Sequence, residues 1–366
     1  MSTFAGAAAL LAAGVADRAF PAASVEVGRQ DGALWRHSFG ALTYDPDAPP
    51  ATDTTIFDLA SLTKVIATTT LAMRAVDDGV LALNDTVASR LPAWRGTDRE
   101  HVTIRDLLEH ASGLPAYLPL FRDHTGRVEF EPAICQLPLE CAPRTQSIYS
   151  DLGFILLGFI LEGTRTDRSR SGVLDPSASL TAQFRGLATL LGPDPLTFNP
   201  SRMLRSRIAP TETEGWRGRT LVGEVHDENA WALGGAAGHS GLFGTAAAVG
   251  AFARAVLRTI AGEPVVARPG TLRAFIRRGS VPGSSRAPGW DTMLPTSSCG
   301  TRMSPTAIGH TGFTGTSLWI DWERDLYVVL LTNRVHPTRD NNKLKTLRPA
   351  FHDAVVSEIE RQPQSR

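Results

Sequence analysis

The sequence predicts an α+β protein of the broad α/β class: an antiparallel sheet flanked by helices, with strands from both chain ends and an all-helical subdomain inserted between them. Three observations predict it. Near the N-terminus, Ala23–Arg29 alternates polar and apolar side chains, and after the turn signal Gln30-Asp31-Gly32 a second run extends from Leu34 to Ala41. Near the C-terminus, Ser317–Trp322 and Leu326–Thr332 flank a Glu323-Arg324-Asp325 turn, as the two strands of a core hairpin. Between these ends, helical patterns and loops dominate. The organisation expected is one catalytic domain over 1–366, with sheet regions at approximately 1–60 and 300–366 and a mostly helical region at approximately 61–245.

The elements follow in order. The N-terminal run from Met1 to Val15 lacks a positively charged start and passes into Asp17-Arg18 without a cleavage site, so it is expected to be a helix on the core of a cytoplasmic protein, export being the alternative. After the hairpin, Tyr44–Pro50 is too proline-rich to continue a strand. A helix is expected from Ser61 to about Asp77, closed by Asp78-Gly79, and a short one over Thr103–His110, capped by Thr103. Pro119–Pro143 has the composition of an irregular loop over a cleft. Leu152–Glu162 is apolar on nearly every side and reads as a buried helix. Arg165–Pro200 is polar and broken by Gly and Pro, with a helix near Leu180–Leu191; Gly223–Phe243 is glycine-rich. Helices are expected again near Ala246–Ile260, Thr271–Ile276 and Arg348–Glu360, the last with Pro349 in its first turn.

Composition narrows the function. The chain has 366 residues, 42% of them hydrophobic, and can bury a large core. Basic and acidic residues balance at 37 each with no long like-charged run, which gives no footprint for nucleic acid or an anionic membrane, and no stretch is long and apolar enough for a membrane span. A small-molecule partner is expected. Cys135, Cys141 and Cys299 are odd in number and lack C-x-x-C spacing, so neither a disulfide framework nor a zinc site is suggested. No cofactor or metal is called for, and the oligomeric state is left open.

One tetrapeptide carries chemistry. Ser61-Leu62-Thr63-Lys64 opens an apolar helical run, and a serine three residues before a lysine shares its face of a helix. Only three of the 37 basic residues, Lys64, Lys343 and Lys345, are lysines. The chain meets its need for positive charge with arginine, yet uses lysine in a hydrophobic neighbourhood. A desolvated lysine can give up its proton and act as a base; arginine cannot.

Two further motifs follow in order, Tyr149-Ser150-Asp151 and His310-Thr311-Gly312. With Ser61-x-x-Lys64 they resemble the serine β-lactamase and penicillin-binding-protein superfamily, whose signature is S-x-x-K, S-D-N and K-T-G. The tyrosine, together with Asp58–Lys64, His110–Pro115 and His310–Gly315, is similar to the branch of class C β-lactamases, D,D-peptidases and family VIII esterases. The resemblance covers all but about residues 165–220 and implies a β-lactamase/transpeptidase-like fold. It also implies that Ser61 is the nucleophile of an acyl-enzyme, that Lys64 and Tyr149 form its base system, and that the backbone N–H groups of Ser61 and Phe313 form the oxyanion hole. Asp151, His310, Thr311 and Gly312 would line the substrate site.

The chain departs from the pattern twice. His310 stands where the third motif has lysine, and Asp151 where asparagine is common. A neutral histidine and an extra carboxylate both disfavour an anionic substrate, unless Asp151 pairs with Lys64. The expected function is therefore a serine hydrolase of esters or amides, a carboxylesterase-like activity, with D,D-peptidase or β-lactamase as the alternative and a non-catalytic penicillin-recognising protein as the reading of another class; its partner is an ester, amide or peptide.

Weaker signals remain. Gly238-His239-Ser240-Gly241 approaches a nucleophile elbow, but Leu242 stands where the pattern needs glycine. His226-Asp227-Glu228 lacks the companions of a metal site and reads as a loop bordering the cleft. Arg334 reads as surface charge, with substrate carboxylate binding as its alternative.

Overall fold

The computed structural model describes residues 4–165 and 176–361. Seven strands form one antiparallel sheet: β1 (Ala22–Arg29), β2 (Gly32–Gly40), β3 (Arg286–Ala287), β4 (Trp290–Thr292), β5 (Ile308–Gly312), β6 (Thr316–Asp321) and β7 (Leu326–Thr332). Their spatial order is β2-β1-β7-β6-β5-β4-β3. The two ends of the chain thus meet at the middle of the sheet, where Ala23 pairs with Thr332 and Gly28 with Tyr327.

Alternation along β7 decides what packs on each face. Val328 and Leu330 point into a core shared with Leu11 of helix α1 (Ala5–Ala16) and with Phe351 and Val355 of helix α5 (Leu344–Glu360). Tyr327, Val329 and Leu331 point the other way, into a larger core with Phe252 and Val256 of helix α4 (Ala246–Ala261). All seven residues of β7 are buried, and each Val or Leu among them contributes roughly 2 kcal/mol by leaving water. The segment Lys64–Thr69, wound as a π-helix, runs into α2 (Thr70–Asp77), and α3 (Asp151–Arg165) has its apolar run from Leu152 to Leu161 buried in the same larger core.

Several elements depart from expectation. A helix, Gly126–Cys135, lies inside the stretch expected to be irregular; Phe130, Ile134 and Cys135 bury one face of it, which outweighs the cost of Pro132 in its interior. Helix α5 starts at Leu344, a turn early, because Leu344 itself is buried, so Pro349 sits inside the helix and not in its first turn. The sheet gains β3 and β4, which precede residue 300. Short strands also occur between 57 and 245: Phe57–Asp58 pairs with Leu242–Gly244, which pairs with Leu196–Phe198. The helix expected near Leu180–Leu191 has those bounds, whereas 166–175 of the polar stretch and residues 1–3 of the N-terminal run lie outside the described residues. No helix among the described residues is long and apolar enough to cross a membrane.

Candidate active site

The short strand Phe57–Asp58 delivers the chain to Ser61. Asp58 is buried; its Oδ1 accepts from Ala60 N at 2.8 Å and its Oδ2 from His226 N at 2.7 Å. Burial, only partly offset by these bonds, raises its carboxyl above the usual range. The clasp holds Ala60 in a left-handed conformation, φ +46°, directly before the serine, a strained geometry for a residue with a Cβ. The turn then tightens. Leu62 N donates to Leu59 O, Thr63 N to Ala60 O and Lys64 N to Ser61 O, and this i to i+3 winding eclipses the side chains of Ser61 and Lys64.

Lys64 is fully buried, and its ammonium has three acceptors: Ser61 Oγ at 2.9 Å, Asp151 Oδ1 at 2.7 Å and the His239 carbonyl at 3.0 Å. Burial alone would pull its pKa down, as expected for a desolvated lysine. Asp151 and Tyr149 more than offset that, and the resting value lies above that of an ordinary lysine. The expectation of a lysine deprotonated by burial is thus corrected by its partners. Because the three acceptors take the three free corners of a tetrahedral nitrogen, a neutral Lys64 donating to Asp151 and His239 would turn its lone pair towards the serine hydroxyl.

Tyr149 stands over this pair, its ring centroid 5.0 Å from Lys64 Nζ. His110 packs on it at 4.6 Å and His310 at 5.8 Å, while the Arg286 guanidinium lies 5.0 Å from the ring. His110 also fixes the segment, since its Nδ1 accepts from Ser150 N at 3.0 Å. Burial, then the charges of Arg286 and Lys64, hold both histidines well below the usual imidazole value. His310 is therefore neutral.

The β5–β6 hairpin is pinned against the serine turn. Thr314 Oγ1 donates to Asp58 O at 2.7 Å and Thr316 Oγ1 to Leu59 O at 3.0 Å. Gly312 is required at this contact, because a Cβ there would lie 2.6 Å from Leu59 O. Ser61, Tyr149, Asp151, His310, Thr311, Gly312 and Phe313 all line one cavity of about 560 Å³, with Lys64 buried behind Ser61. The Phe313 ring, half exposed at this cavity, is stacked on His226 at 5.6 Å and capped by the Arg334 guanidinium at 4.8 Å.

The weaker signals belong to the wall of the same cavity. His226 Nε2 meets Glu212 Oε2 at 2.9 Å, Asp227 Oδ1 meets His239 Nε2 at 2.8 Å, and Glu228 accepts from Arg339 at 2.7 Å. Gly238–Gly241 holds no nucleophile elbow; His239 supplies the carbonyl against Lys64. Arg334 is not surface charge but half-buried in the cavity wall, donating to the carbonyls of Arg339 and Asn341 at 3.1 and 2.6 Å. Residues of the wall that the motifs miss include Arg286 and Arg348. Neither lies in a recognisable pattern, and only a surplus of arginine hinted at them.

A Beta-lactamase family model matches residues 7–351. The chain belongs to the β-lactamase family. A relative in Salmonella gallinarum, provisionally named D-alanyl-D-alanine carboxypeptidase, is 30% identical over 80% of this chain and 73% of its own. Among solved structures, simvastatin synthase from Aspergillus terreus matches with a TM-score of 0.75 and 18% identity over 99% of this chain and all of its own. EstCE1, described as a hydrolase with promiscuous acyltransferase activity, matches with a TM-score of 0.73 and 21% identity over 97% and 98%. These likenesses share the β-lactamase/transpeptidase-type fold. As a β-lactamase-family protein, the chain is an enzyme of the serine hydrolase type.

Proposed function

We propose that this β-lactamase-family enzyme hydrolyses carboxylic esters and amides through an acyl-enzyme on Ser61. The observation that carries this reading is the contact of Ser61 Oγ with a lysine nitrogen held from two other sides. Once Lys64 has released one proton, it takes the hydroxyl proton as Oγ bonds to the substrate carbonyl carbon. The backbone N–H groups of Ser61 and Phe313 receive the oxyanion, Tyr149 delivers a proton to the leaving group, and water later releases the acid by the reverse proton path. The α1 run lies on the core with the N–H groups of Gly6 and Ala7 bound by Glu358, which supports its reading as a segment of the fold.

A second reading, a peptidase or β-lactamase whose substrate carries a free carboxylate, is supported by one specific observation. Arg286, Arg334 and Arg348 line the cavity, and none of them forms an ion pair with a carboxylate among the described residues. Burial and the neighbouring Arg334 push Arg348 down to about 10, as happens when like charges face each other without an anion. The Asp151 charge, meanwhile, is taken up by Lys64. The test is turnover of short p-nitrophenyl esters beside a D-alanyl-D-alanine-terminated peptide and its C-terminal amide, with intact-mass detection of an acyl adduct. Ester turnover that survives Ser61→Ala would sink the first reading; equal rates on the acid and amide peptides would sink the second.

A further inference from the structure

Two motifs left over from the sequence meet beside Lys64. Asp227 Oδ1 lies 2.8 Å from His239 Nε2 and also accepts from Ala230 N at 2.7 Å, capping the helix Glu228–Ala232. The His239 ring is buried, whereas the Asp227 side chain is 20% exposed at the cavity. The backbone around His239 is wedged between two helices. The His239 carbonyl accepts from Lys64, and the Gly238 carbonyl accepts from Thr68 Oγ1 at 2.6 Å, one turn further along. On the other side, a Cβ at Gly238 would lie 2.0 Å from the Phe154 carbonyl of α3. Ala237 and Ser240 close the turn with reciprocal backbone bonds of 3.1 and 3.3 Å.

We infer that the Asp227–His239 pair is a positioning clamp for Lys64: by anchoring the His239 ring it fixes the carbonyl that, with Asp151, aims the lysine nitrogen at Ser61. The inference rests on the reading of Lys64 as the base for Ser61. Two tethers are needed to orient an amine at the end of a four-carbon stem, because with one tether the second N–H and the lone pair can still exchange places at Nζ about the Cε–Nζ bond. Asp151 is the first tether and the His239 carbonyl the second. Without the second, an N–H can turn to Ser61 in place of the lone pair, and the hydroxyl keeps its proton. The clamp also joins the cavity wall at 226–232 to the base. The groups facing Lys64 are Asp151 and Tyr149, Asp227 across His239, the two neutral histidines 110 and 310, and Arg286 beyond Tyr149.

The experiment compares His239→Ala and His239→Gln with the unaltered enzyme in the rate of fluorophosphonate labelling, read by intact mass, and in the pH profile of p-nitrophenyl ester turnover. Labelling in His239→Ala should slow by about 10- to 100-fold, with KM for the ester little changed. The acid limb of kcat/KM should move to lower pH, because an ammonium that loses a carbonyl acceptor gives up its proton more readily. His239→Gln, which keeps a donor for Asp227, should recover most of the rate. Labelling of His239→Ala at the unaltered rate with an unmoved limb overturns the clamp alone. No label on the unaltered enzyme, or label that survives Ser61→Ala, overturns the reading of Ser61 beneath it. Should His239→Ala fail to fold, Asp227→Ser, in which serine still caps the helix but its shorter side chain cannot reach His239, gives the same readouts: a slowed, shifted profile supports the clamp and an unaltered one refutes it.

Discussion

Oδ1 of Asp151 and Nζ of Lys64 form an ion pair of 2.7 Å between a fully buried lysine and a carboxylate only 19% exposed. A carboxylate so placed stabilises the ammonium over the amine.

Asp151→Asn should therefore lower the proton affinity of Lys64. Activity that requires the neutral amine rises with pH through the Lys64 pKa, so the acid limb of kcat/KM should move to lower pH by about one to two units. A pH–rate profile on a neutral ester measures it directly. A limb that stays put or moves to higher pH would contradict the role of the pair.

Lys64→Arg keeps the charge and removes the proposed base. Ester turnover should fall by about 1,000-fold or more and should not return on raising the pH, since arginine does not deprotonate. An arginine variant that regains activity at alkaline pH would refute the lysine as base.

Gly312→Ala tests the seam between β5 and the serine turn. The added methyl would approach Thr316 Oγ1, 2.1 Å, Leu59 O, 2.6 Å, and Ala60 Cβ, 3.2 Å, so the strand must withdraw from Ser61. We expect about 1–3 kcal/mol lost in urea unfolding, with kcat reduced out of proportion to the stability lost. Unchanged kcat would mean that the seam does not set the position of Phe313.

Acid stability should depend on Glu212. Burial raises its pKa, but hydrogen bonds from His226 and Arg339 outweigh this and hold the carboxyl at about 2. Its folded value lies below the unfolded one, so the stabilisation is complete above about pH 4.5 and is lost as pH falls towards 2. The gap in unfolding free energy between the unaltered enzyme and Glu212→Gln should shrink from pH 6 to pH 3. A gap constant with pH would show that the carboxylate is not linked to folding.

What the sequence made legible follows from local physics. The continuous β-prone apolar run of β7 and the all-round apolar run of α3 are local patterns, and Ser61 and Lys64 share one turn, so all three could be seen without tertiary information. The Lys64–Asp151 contact joins residues 87 apart, and no local pattern encodes its distance. The wall from His226 to Gly241 is glycine-rich and aperiodic, so its convergence on Lys64 through His239 was hidden. Strands β3 and β4 are too short for alternation to register, and Pro132 masked a helix that its buried face enforces.

β1 has β2 on one side and β7 on the other, and its residues Ala23 and Val25 stand opposite Thr332 and Leu330. On the ribosome, the first strand emerges long before the partner that completes it. Ser61 and Lys64 are likewise made early, yet β5, which must press Gly312 against Leu59 and Ala60, comes only near the end. On the proposed roles, Ser61 of a half-made chain thus has no seam against which to form an oxyanion site. Reactivity towards an acyl probe should appear late in synthesis, so the order of the strands times the enzyme's onset of activity.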